Sequence, residues 1–265
     1  MSAVFITGAS SGIGAALARH YAAEGATLGL LARRRDALEQ LAAGLPGAAR
    51  HRIYAVDVTD HAALAAAAAD FIAATGGADI VIANAGISHG TLTEEPADLA
   101  VFEAILATNL TATVATFGPF IAAMKALPLP CRLVGIASVA GVRGLPGAGA
   151  YSASKAAVFS YCESLRIELR GSNIKVVTIA PGYIDTPMTQ VNAYPMPFLM
   201  PAARFAEQAA RVIARGASRR VIPWQMGVVA KLLRALPDAL FDYAFAKAPH
   251  KSRKPGKQPG GTPAP

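Results

Sequence analysis

The sequence has few cysteines, few charged residues and no long apolar run, and each shortage excludes a class of protein. Only two cysteines, Cys131 and Cys162, occur in 265 residues. Both lie in segments patterned like a buried strand or helix, which argues against a disulfide framework and favours a reducing compartment. No uninterrupted apolar run approaches the ~18 residues that span a bilayer. The apolar segment 3–6 leads directly into a glycine-rich turn, so we expect no leader peptide and a cytoplasmic location.

Positive charge is concentrated at the C-terminal end of the chain. The formal net charge is +8, and the residues from Arg219 onward carry nine Lys or Arg and only two acids, which amounts to +7. The high isoelectric point therefore describes this end and not the preceding part. Hydrophobic residues make up 53% of the chain, enough for the core of one large α/β domain.

Short apolar runs alternate with longer helical patterns along the first 223 residues, which is typical of βαβ units. The runs are almost continuously apolar, as in parallel strands covered by helices on both faces. We therefore predict a doubly wound, parallel seven-stranded sheet of the Rossmann type. Its predicted strands are 3–7, 26–31, 52–56, 79–83, 132–137, 174–179 and 220–222. Its predicted helices are 12–24, 36–43, 60–74, 98–126, 151–170 and 204–215.

The chain is predicted to have three parts. Residues 1–223 form the α/β domain that contains this sheet, and residues 224–247 form a helical extension divided by Pro237. Residues 248–265 are rich in Pro, Gly and Lys, and we expect them to be disordered.

A glycine-rich turn joins the first strand to the first helix. Glycines at positions 8, 12 and 14 allow a tight turn, and the helix N-terminus supplies N–H donors to an anion. The spacing G-x-x-x-G-x-G differs from the commoner dinucleotide pattern, and the glycines could serve the turn alone. We predict a pyrophosphate site formed by Gly8, Ser10, Ser11, Gly12, Ile13 and Gly14.

Three arginines, Arg33 to Arg35, follow the second strand, where dinucleotide-binding sheets meet the adenosine ribose. An acid there selects NAD, whereas a cation accommodates the extra phosphate of NADP. Three cations at a helix N-terminus also oppose the helix dipole, a conflict that a bound anion would remove. We therefore predict NADP(H), with Arg33 as the phosphate contact; the alternative is a solvated helix start.

Tyr151 and Lys155 lie one turn apart on one helix face. A neighbouring ammonium stabilises phenolate and should lower the tyrosine pKa from about 10, which suits acid–base catalysis. Ser138 follows a predicted strand at the edge where open α/β sheets bind ligands. Each residue also has a simpler explanation, as a surface pair or a turn cap.

These motifs together resemble the short-chain dehydrogenase/reductase family over about residues 3–222. The likeness rests on Thr7 to Gly14, Asn84-Ala85-Gly86, Asn109, Ser138, Tyr151 with Lys155, and Pro181-Gly182, in that order. Ala83 stands where the family usually has the first Asn of N-N-A-G.

The resemblance implies a role for each matching residue. Tyr151 would be the catalytic acid/base, Lys155 would hold the nicotinamide ribose, Ser138 would orient the carbonyl and Asn109 would anchor a water in a proton relay. The remaining implied cofactor contacts are Asp57, Val58, Asn84, Ala85, Gly86, Pro181, Gly182, Ile184 and Thr186. No metal site is predicted, and the family suggests a homodimer or homotetramer.

The substrate is predicted from segment 187–203, which lies where the family has its substrate lid. Its large apolar residues would line an adaptable pocket or pack against the following helix: Met188, Tyr194, Met196, Phe198, Leu199 and Met200. We expect a ketone or aldehyde of apolar, lipid-like or aromatic character. The alternatives are a 3-oxoacyl-thioester reductase of fatty acid synthesis and a non-enzymatic cofactor-binding sensor or membrane adaptor.

The extension suggests a second partner. Large apolar residues recur at helical spacing among Lys231, Arg234 and a basic run at 247–257, a combination that can bind an anionic membrane surface. The apolar positions are Trp224, Val228, Val229, Leu232, Leu233, Leu236, Leu240, Phe241 and Phe245. Packing on the domain or on another subunit is the competing explanation. No module that reads nucleic acid is recognisable, so we expect no nucleic-acid partner.

Overall fold

Parallel strands form the centre of the molecule in a computed structural model that describes residues 2–192, 194–246, 248 and 250–253. The strands are β1 (Ala3–Thr7), β2 (Thr27–Ala32), β3 (Arg52–Ala55), β4 (Ile80–Ala83), β5 (Cys131–Ile136), β6 (Ile174–Pro181), β7 (Ile184–Asp185), β8 (Met200–Pro201) and β9 (Arg219–Ile222). Seven of them pair in the order β3-β2-β1-β4-β5-β6-β9, and every pairing is parallel. The predicted seven-stranded doubly wound sheet is confirmed.

Helices cover both faces of this sheet. They are α1 (Gly12–Ala23), α2 (Arg35–Ala43), α3 (His61–Thr75), α4 (Asp98–Leu106), α5 (Ala112–Ala126), α6 (Gly149–Glu168), α7 (Pro187–Gln190), α8 (Ala202–Arg215), α9 (Trp224–Ala235) and α10 (Asp238–Phe245). The chain order reverses between β1 and β4, which leaves a crevice at the carboxyl ends of these strands.

The two faces carry separate hydrophobic clusters. One contains apolar residues of α1, α2 and α8, and the other those of α3, α5 and α6. In the second cluster the ring of Phe5 lies 5.5 Å from that of Phe71 and 4.9 Å from that of Phe120, and all three are fully buried. Truncating one such ring to Ala typically costs about 3–5 kcal/mol. Strand β1, which leads into the glycine-rich turn, is thereby fixed.

The predicted helix 98–126 contains one irregularity. Residues 107–111 form a π-helical turn between α4 and α5, with Asn109 at its centre. Such turns are frequent at functional sites because they re-aim side chains. By length and composition the span Asp98–Ala126 could also cross a membrane, at a mean hydropathy of 1.5 over its best window. Here it packs within the domain, where α5 contributes Phe117 and Phe120 to the core.

Segment 187–203 contains little regular structure, as its prolines predict. Among its described residues, the regular structure comprises the short helix α7, the strand β8, which pairs with β7, and the first two residues of α8. Met200 is buried in the core cluster with Phe205, so of the two alternatives for this segment it follows packing against the next helix and not lining of the substrate pocket. Its side chain instead joins the domain to α8.

The C-terminal extension is attached to the loop after β5. The Arg143 guanidinium donates to the carbonyl oxygens of Leu233 and Leu236, pairs with Asp238 at 2.8 Å, and lies 4.1 Å from the centre of the Phe241 ring. Residues 250–253 contact the domain, which differs from the expected disorder of 248–265. Residues 254–265 lie outside the described residues.

Candidate active site

A cleft of about 710 Å³ opens at the carboxyl ends of β1, β2, β4, β5 and β6. Its volume is in the range of small-molecule and cofactor sites. Of the residues predicted for the site, all but Gly14 and Asn109 line this cleft. Those that line it are Gly8, Ser10, Ser11, Gly12, Ile13, Arg33, Asp57, Val58, Asn84, Ala85, Gly86, Ser138, Tyr151, Lys155, Pro181, Gly182, Ile184 and Thr186.

The glycine-rich turn has a shape that only glycines allow. Gly8 and Gly12 have positive φ angles of 68° and 53°. A Cβ on Gly14 would overlap the carbonyl oxygen of Gly8, so Gly14 supports the turn from behind. The side chain of Ser11 forms no capping bond to α1 within the described chain. The first N–H groups of α1 therefore suit the pyrophosphate of a dinucleotide.

Thr7, which we did not predict as a site residue, joins this turn to the loop after β4. Its hydroxyl accepts hydrogen bonds from the backbone N–H groups of Asn84 (3.1 Å) and Ala85 (3.2 Å). The Asn84 amide in turn donates to the carbonyl oxygens of Thr7 and Gly8. These hydrogen bonds hold together the two loops on either side of the crevice, although Thr7 and Asn84 are 77 residues apart in the sequence.

Two arginines, and not one, reach the end of the cleft beside β2. Arg34 donates to the Ser10 hydroxyl at 3.2 Å, while Arg33 lies 3.8 Å from the Asp57 carboxylate. Burial alone would raise the pKa of Asp57, but hydrogen bonds from Thr59 and the charge of Arg33 outweigh it and hold the pKa below its usual value. Arg33, the predicted phosphate contact, lines the cleft, and so does Arg34, which was missed because side-chain direction is not visible in a run of three arginines.

The catalytic candidates meet at the centre of the cleft. Tyr151 and Lys155 extend from the first turns of α6, and Ser138 follows β5. The Lys155 Nζ donates to the carbonyl oxygen of Ile136 at 2.8 Å and lies 5.9 Å from the centre of the Tyr151 ring. The Ser138 hydroxyl accepts a hydrogen bond from the backbone N–H of Ala140, which fixes its position.

The proton affinities differ from the expectation that Lys155 lowers the pKa of Tyr151. Burial raises the pKa of Tyr151, and a hydrogen bond with Ser138 opposes that rise only in part. Burial also lowers the pKa of Lys155 to about 8. The charge of Lys155 makes no appreciable contribution to the pKa of Tyr151, and the Lys155 ammonium donates to the Ile136 carbonyl. Tyr151 is therefore a protonated phenol, which is a proton donor, at neutral pH.

Asn109 joins Ile87, which lines the cleft, to α6. It is fully buried, and its amide accepts from the Ile87 N–H (2.8 Å) and donates to the Ile87 carbonyl (3.0 Å) and to the Ser154 hydroxyl (3.0 Å). Ser154 then donates to the carbonyl of Tyr151. Asn109 thus acts on the cleft through its neighbours, and its role in a proton relay stays a prediction.

On the nicotinamide side, the turn after β6 closes the cleft. The Thr186 hydroxyl is buried and shares a 3.2 Å hydrogen bond with that of Thr189. Of the apolar residues predicted for the substrate pocket, Met188 lines the cleft. The ring of Tyr194 lies 6.4 Å from that of Tyr183 and near enough to Tyr151 for their charges to interact.

Comparison with known proteins identifies the family. The model of the short chain dehydrogenase family matches residues 2–195, and the chain belongs to this family of oxidoreductases. It is 37% identical over 241 residues to an "Uncharacterized oxidoreductase" of Myxococcus xanthus, covering 90% of this chain and 94% of the relative. It is 38% identical over 190 residues to 2-dehydro-3-deoxy-L-rhamnonate dehydrogenase (NAD(+)) of a Sphingomonas strain, covering 69% of this chain and 72% of the relative.

A solved structure supports the cofactor class. The 3-ketoacyl-(acyl-carrier-protein) reductase of Brucella melitensis, complexed with NADH, superposes with a TM-score of 0.75 at 28% identity, covering 83% of this chain and 96% of that one. A nicotinamide dinucleotide therefore fits both the family and the cleft, with its glycine-rich turn, free helix N-terminus and arginines.

Proposed function

We propose that this protein is an NADP(H)-dependent oxidoreductase that interconverts a ketone or aldehyde and the corresponding alcohol on an apolar substrate. The observation that carries the proposal is the meeting of Ser138, Tyr151 and Lys155 in one cleft beside the glycine-rich turn. A nicotinamide dinucleotide, when bound, supplies or accepts the hydride.

The chain's own residues supply the proton chemistry. The Ser138 hydroxyl donates a hydrogen bond to the substrate oxygen, and Tyr151 donates its phenolic proton to that oxygen as negative charge develops. The raised pKa of Tyr151 suits this role, because the phenol remains protonated until the substrate oxygen becomes strongly basic. Lys155, whose Nζ is held by the Ile136 carbonyl 5.9 Å from the centre of the Tyr151 ring, would hold the nicotinamide ribose beside this donor.

Replacing Tyr151 tests the mechanism. In Tyr151→Phe the proton donor is lost while the ring is kept, so we expect kcat to fall at least about 100-fold, the lower range for acid–base catalysis. Dinucleotide affinity, measured by fluorescence titration, should change little. Turnover that survives at the wild-type rate would contradict the proposal.

The preference for NADP(H) is supported by Arg33 and Arg34. Both line the cleft beside β2, where a ribose 2′-phosphate would lie. Asp57, the acid nearest to them, is engaged by Thr59 and Arg33 and so is less available to a ribose hydroxyl. The names of two similar proteins contain NAD(+) and NADH, so the preference for NADP(H) is tested by comparing both cofactors directly.

The adjacent Arg35 provides a matched control. It pairs with Glu39 along α2 at 3.5 Å, away from the cleft lining. Arg33→Ala and Arg34→Ala should each weaken NADPH about tenfold, since a charge-assisted hydrogen bond contributes about 1.5 kcal/mol or more. NADH affinity should hardly move, and Arg35→Ala should affect neither cofactor. Equal losses for NADPH and NADH would refute the phosphate assignment.

The substrate side favours an apolar carbonyl compound. Met188 lines the cleft, Tyr194 lies close to Tyr151, and Phe198 and Leu199 remain about half exposed on the lid. An apolar chain bound at this lid would bury side chains that are otherwise in water.

A series of methyl ketones of increasing length tests this preference. We expect kcat/KM to rise with each added methylene, by up to a few fold per carbon at about 0.8 kcal/mol each. Equal rates along the series would refute an apolar pocket. A strong preference for a 3-oxoacyl thioester over the free ketone would instead favour fatty acid synthesis.

We further propose that α9 and α10 contact an anionic membrane surface. Trp224, Val228 and Leu232 recur at every fourth position of α9 and are 70%, 48% and 64% exposed, and Lys231 and Arg234 flank them. Phe241 is buried, so the extension divides into an attached face and an apolar face in water. Apolar side chains beside basic ones match an anionic lipid surface.

Trp224 is the only tryptophan of the chain, so its fluorescence reports the contact directly. Vesicles with phosphatidylserine should shift its emission to the blue, and vesicles of phosphatidylcholine alone should not. The paired change Val228→Glu and Leu232→Glu should abolish the shift and vesicle sedimentation. Unchanged sedimentation of this variant would contradict the proposal.

A homodimer or homotetramer and a cytoplasmic location complete the proposal. Leu99 on α4 and Val114 on α5 are exposed, and burying such side chains would stabilise a pair of subunits. Both cysteines are buried and unpaired, which is compatible with a reducing compartment. Light scattering would show the number of subunits, and a monomer at micromolar concentration would contradict the proposed assembly.

A further inference from the structure

The segment 250–253, here called the strap, returns to the domain at the loop after β4. It lies parallel to the chain at Gly90, whose N–H donates to the carbonyl oxygen of Ser252 at 3.0 Å. The neighbouring Thr91 pairs in turn with Ala148, and its N–H donates to the carbonyl of Gly147 at 3.0 Å. Three segments distant in sequence thus lie side by side.

Two glycines make room for the strap. A Cβ on Gly90 would overlap the carbonyl oxygen of Lys251, and one on Gly147 would come within 2.6 Å of the His250 ring. Gly147 also has a positive φ of 66°. The domain surface is therefore shaped to receive this backbone, which a chance contact of a polar tail would not require.

An ion pair closes the contact. The Arg253 Nε donates to Asp98 at 2.9 Å, and its Nη2 lies 3.2 Å from Glu95. The Asp98 side chain is only 5% exposed and also receives the Leu92 N–H at 2.8 Å. The hydrogen bond from Arg253 is the main reason that the pKa of Asp98 lies below its usual value. A buried carboxylate of this kind needs its cation, because an unpaired charge there is costly.

The strap touches loop 87–92, and each end of this loop is hydrogen-bonded to the surroundings of the catalytic residues. At one end, Asn109 holds Ile87 in the cleft wall. At the other end, the Thr91 hydroxyl accepts from the N–H of Ala150, the residue before Tyr151, at 3.4 Å. Loosening this loop would therefore disturb both the cleft wall and the start of α6.

We propose that the strap is a positioning element of the substrate site, with Arg253 as the positioning residue that fastens it. The docked strap holds loop 87–92 against 147–150 and so fixes the start of α6, which carries Tyr151. The effect on catalysis rests on the proposed function, whereas the docking itself does not.

The test compares Gly90→Ala and Arg253→Gln with the control Gly144→Ala in the full-length protein. Gly144 lies in the loop after β5, and a Cβ there would meet no atom of the described chain within 4 Å. Hydrogen exchange with mass spectrometry follows the amides of Gly90, Thr91 and Ala150. Exchange at all three should accelerate about tenfold or more in both test variants, because local opening becomes easier, and should not change in the control.

Kinetics with a carbonyl substrate provide the second measurement. The KM should rise roughly fivefold because the substrate wall is loosened, and kcat should fall as well because the start of α6 carries Tyr151. Arg253→Lys should restore part of the affinity, because it keeps the charge without the paired geometry.

The possible outcomes separate the two proposals. Unchanged exchange at Gly90 would refute docking, and faster exchange at Gly90 with unchanged exchange at Ala150 would refute positioning. An unchanged KM in an active enzyme would also refute positioning. If the wild type reduces no carbonyl at all, the proposed function fails, and the exchange at Ala150 still decides whether the strap positions α6.

Discussion

We expect Lys155 to make the free energy of unfolding of the cofactor-free protein increase with pH. Replacing Lys155 by methionine should remove this contribution. The amine is buried, and burial lowers its pKa from 10.5 to about 8. Between these two values the unfolded chain binds a proton that the folded protein does not, so raising the pH favours the folded state. The destabilisation by the charged amine is complete below pH 8 and is relieved as the pH approaches 10.5.

The size of the effect follows from the two pKa values. Each tenfold change in a proton equilibrium corresponds to about 1.4 kcal/mol, so the interval from about 8 to 10.5 corresponds to about 3 kcal/mol. Lys155→Met has no proton to lose. The free energy of unfolding of the wild type relative to this variant should therefore increase by about 2 to 3 kcal/mol between pH 7 and 10.5.

Urea unfolding of dinucleotide-free protein, followed by circular dichroism at several pH values, measures this difference. Tyr151 and Cys162 have raised pKa values and lower the stability at alkaline pH, but they are present in both proteins and cancel to first order. Lys175→Met, which removes an exposed lysine of β6, is the matched control, and its profile should run parallel to the wild type. A constant difference between wild type and Lys155→Met across this range would refute the reasoning.

Two further predictions concern the support of the cleft. Asn109→Ala removes three hydrogen bonds of a fully buried side chain and should lower the free energy of unfolding by about 2 to 4 kcal/mol. Thr116→Val removes one hydrogen bond from the adjoining helix α5 and should lower it by about 1 kcal/mol; equal losses in urea unfolding would contradict this. Gly14→Ala forces a Cβ against the carbonyl of Gly8 and should weaken dinucleotide binding at least about tenfold. Gly118→Ala is the control, because its Cβ meets open space and binding should not change. Equal affinities of the two variants in calorimetric titration would contradict the role of the turn.

The elements of the sheet and the central chemical residues were predictable because they are local. Apolar runs between helical patterns predicted all seven strands of the main sheet within two residues at each end. Spacing alone predicted that Tyr151 and Lys155 share one face of α6, because neighbours one turn apart on a helix are determined by its pitch. Ser138 was predicted at the same edge of the sheet because it follows a strand, and open α/β sheets bind ligands at the carboxyl ends of their strands.

Only the tertiary structure decided how these parts support one another. Thr7 binds a loop 77 residues away, the π-turn aims Asn109 at Ile87, and the Lys155 amine donates to the Ile136 carbonyl. Arg253, in a segment expected to be disordered, pairs with an acid 155 positions earlier. Local spacing determines which residues share a helix face or a strand end. Contacts between distant segments depend on how the packed elements are placed, and a pattern of neighbours along the chain does not contain that information.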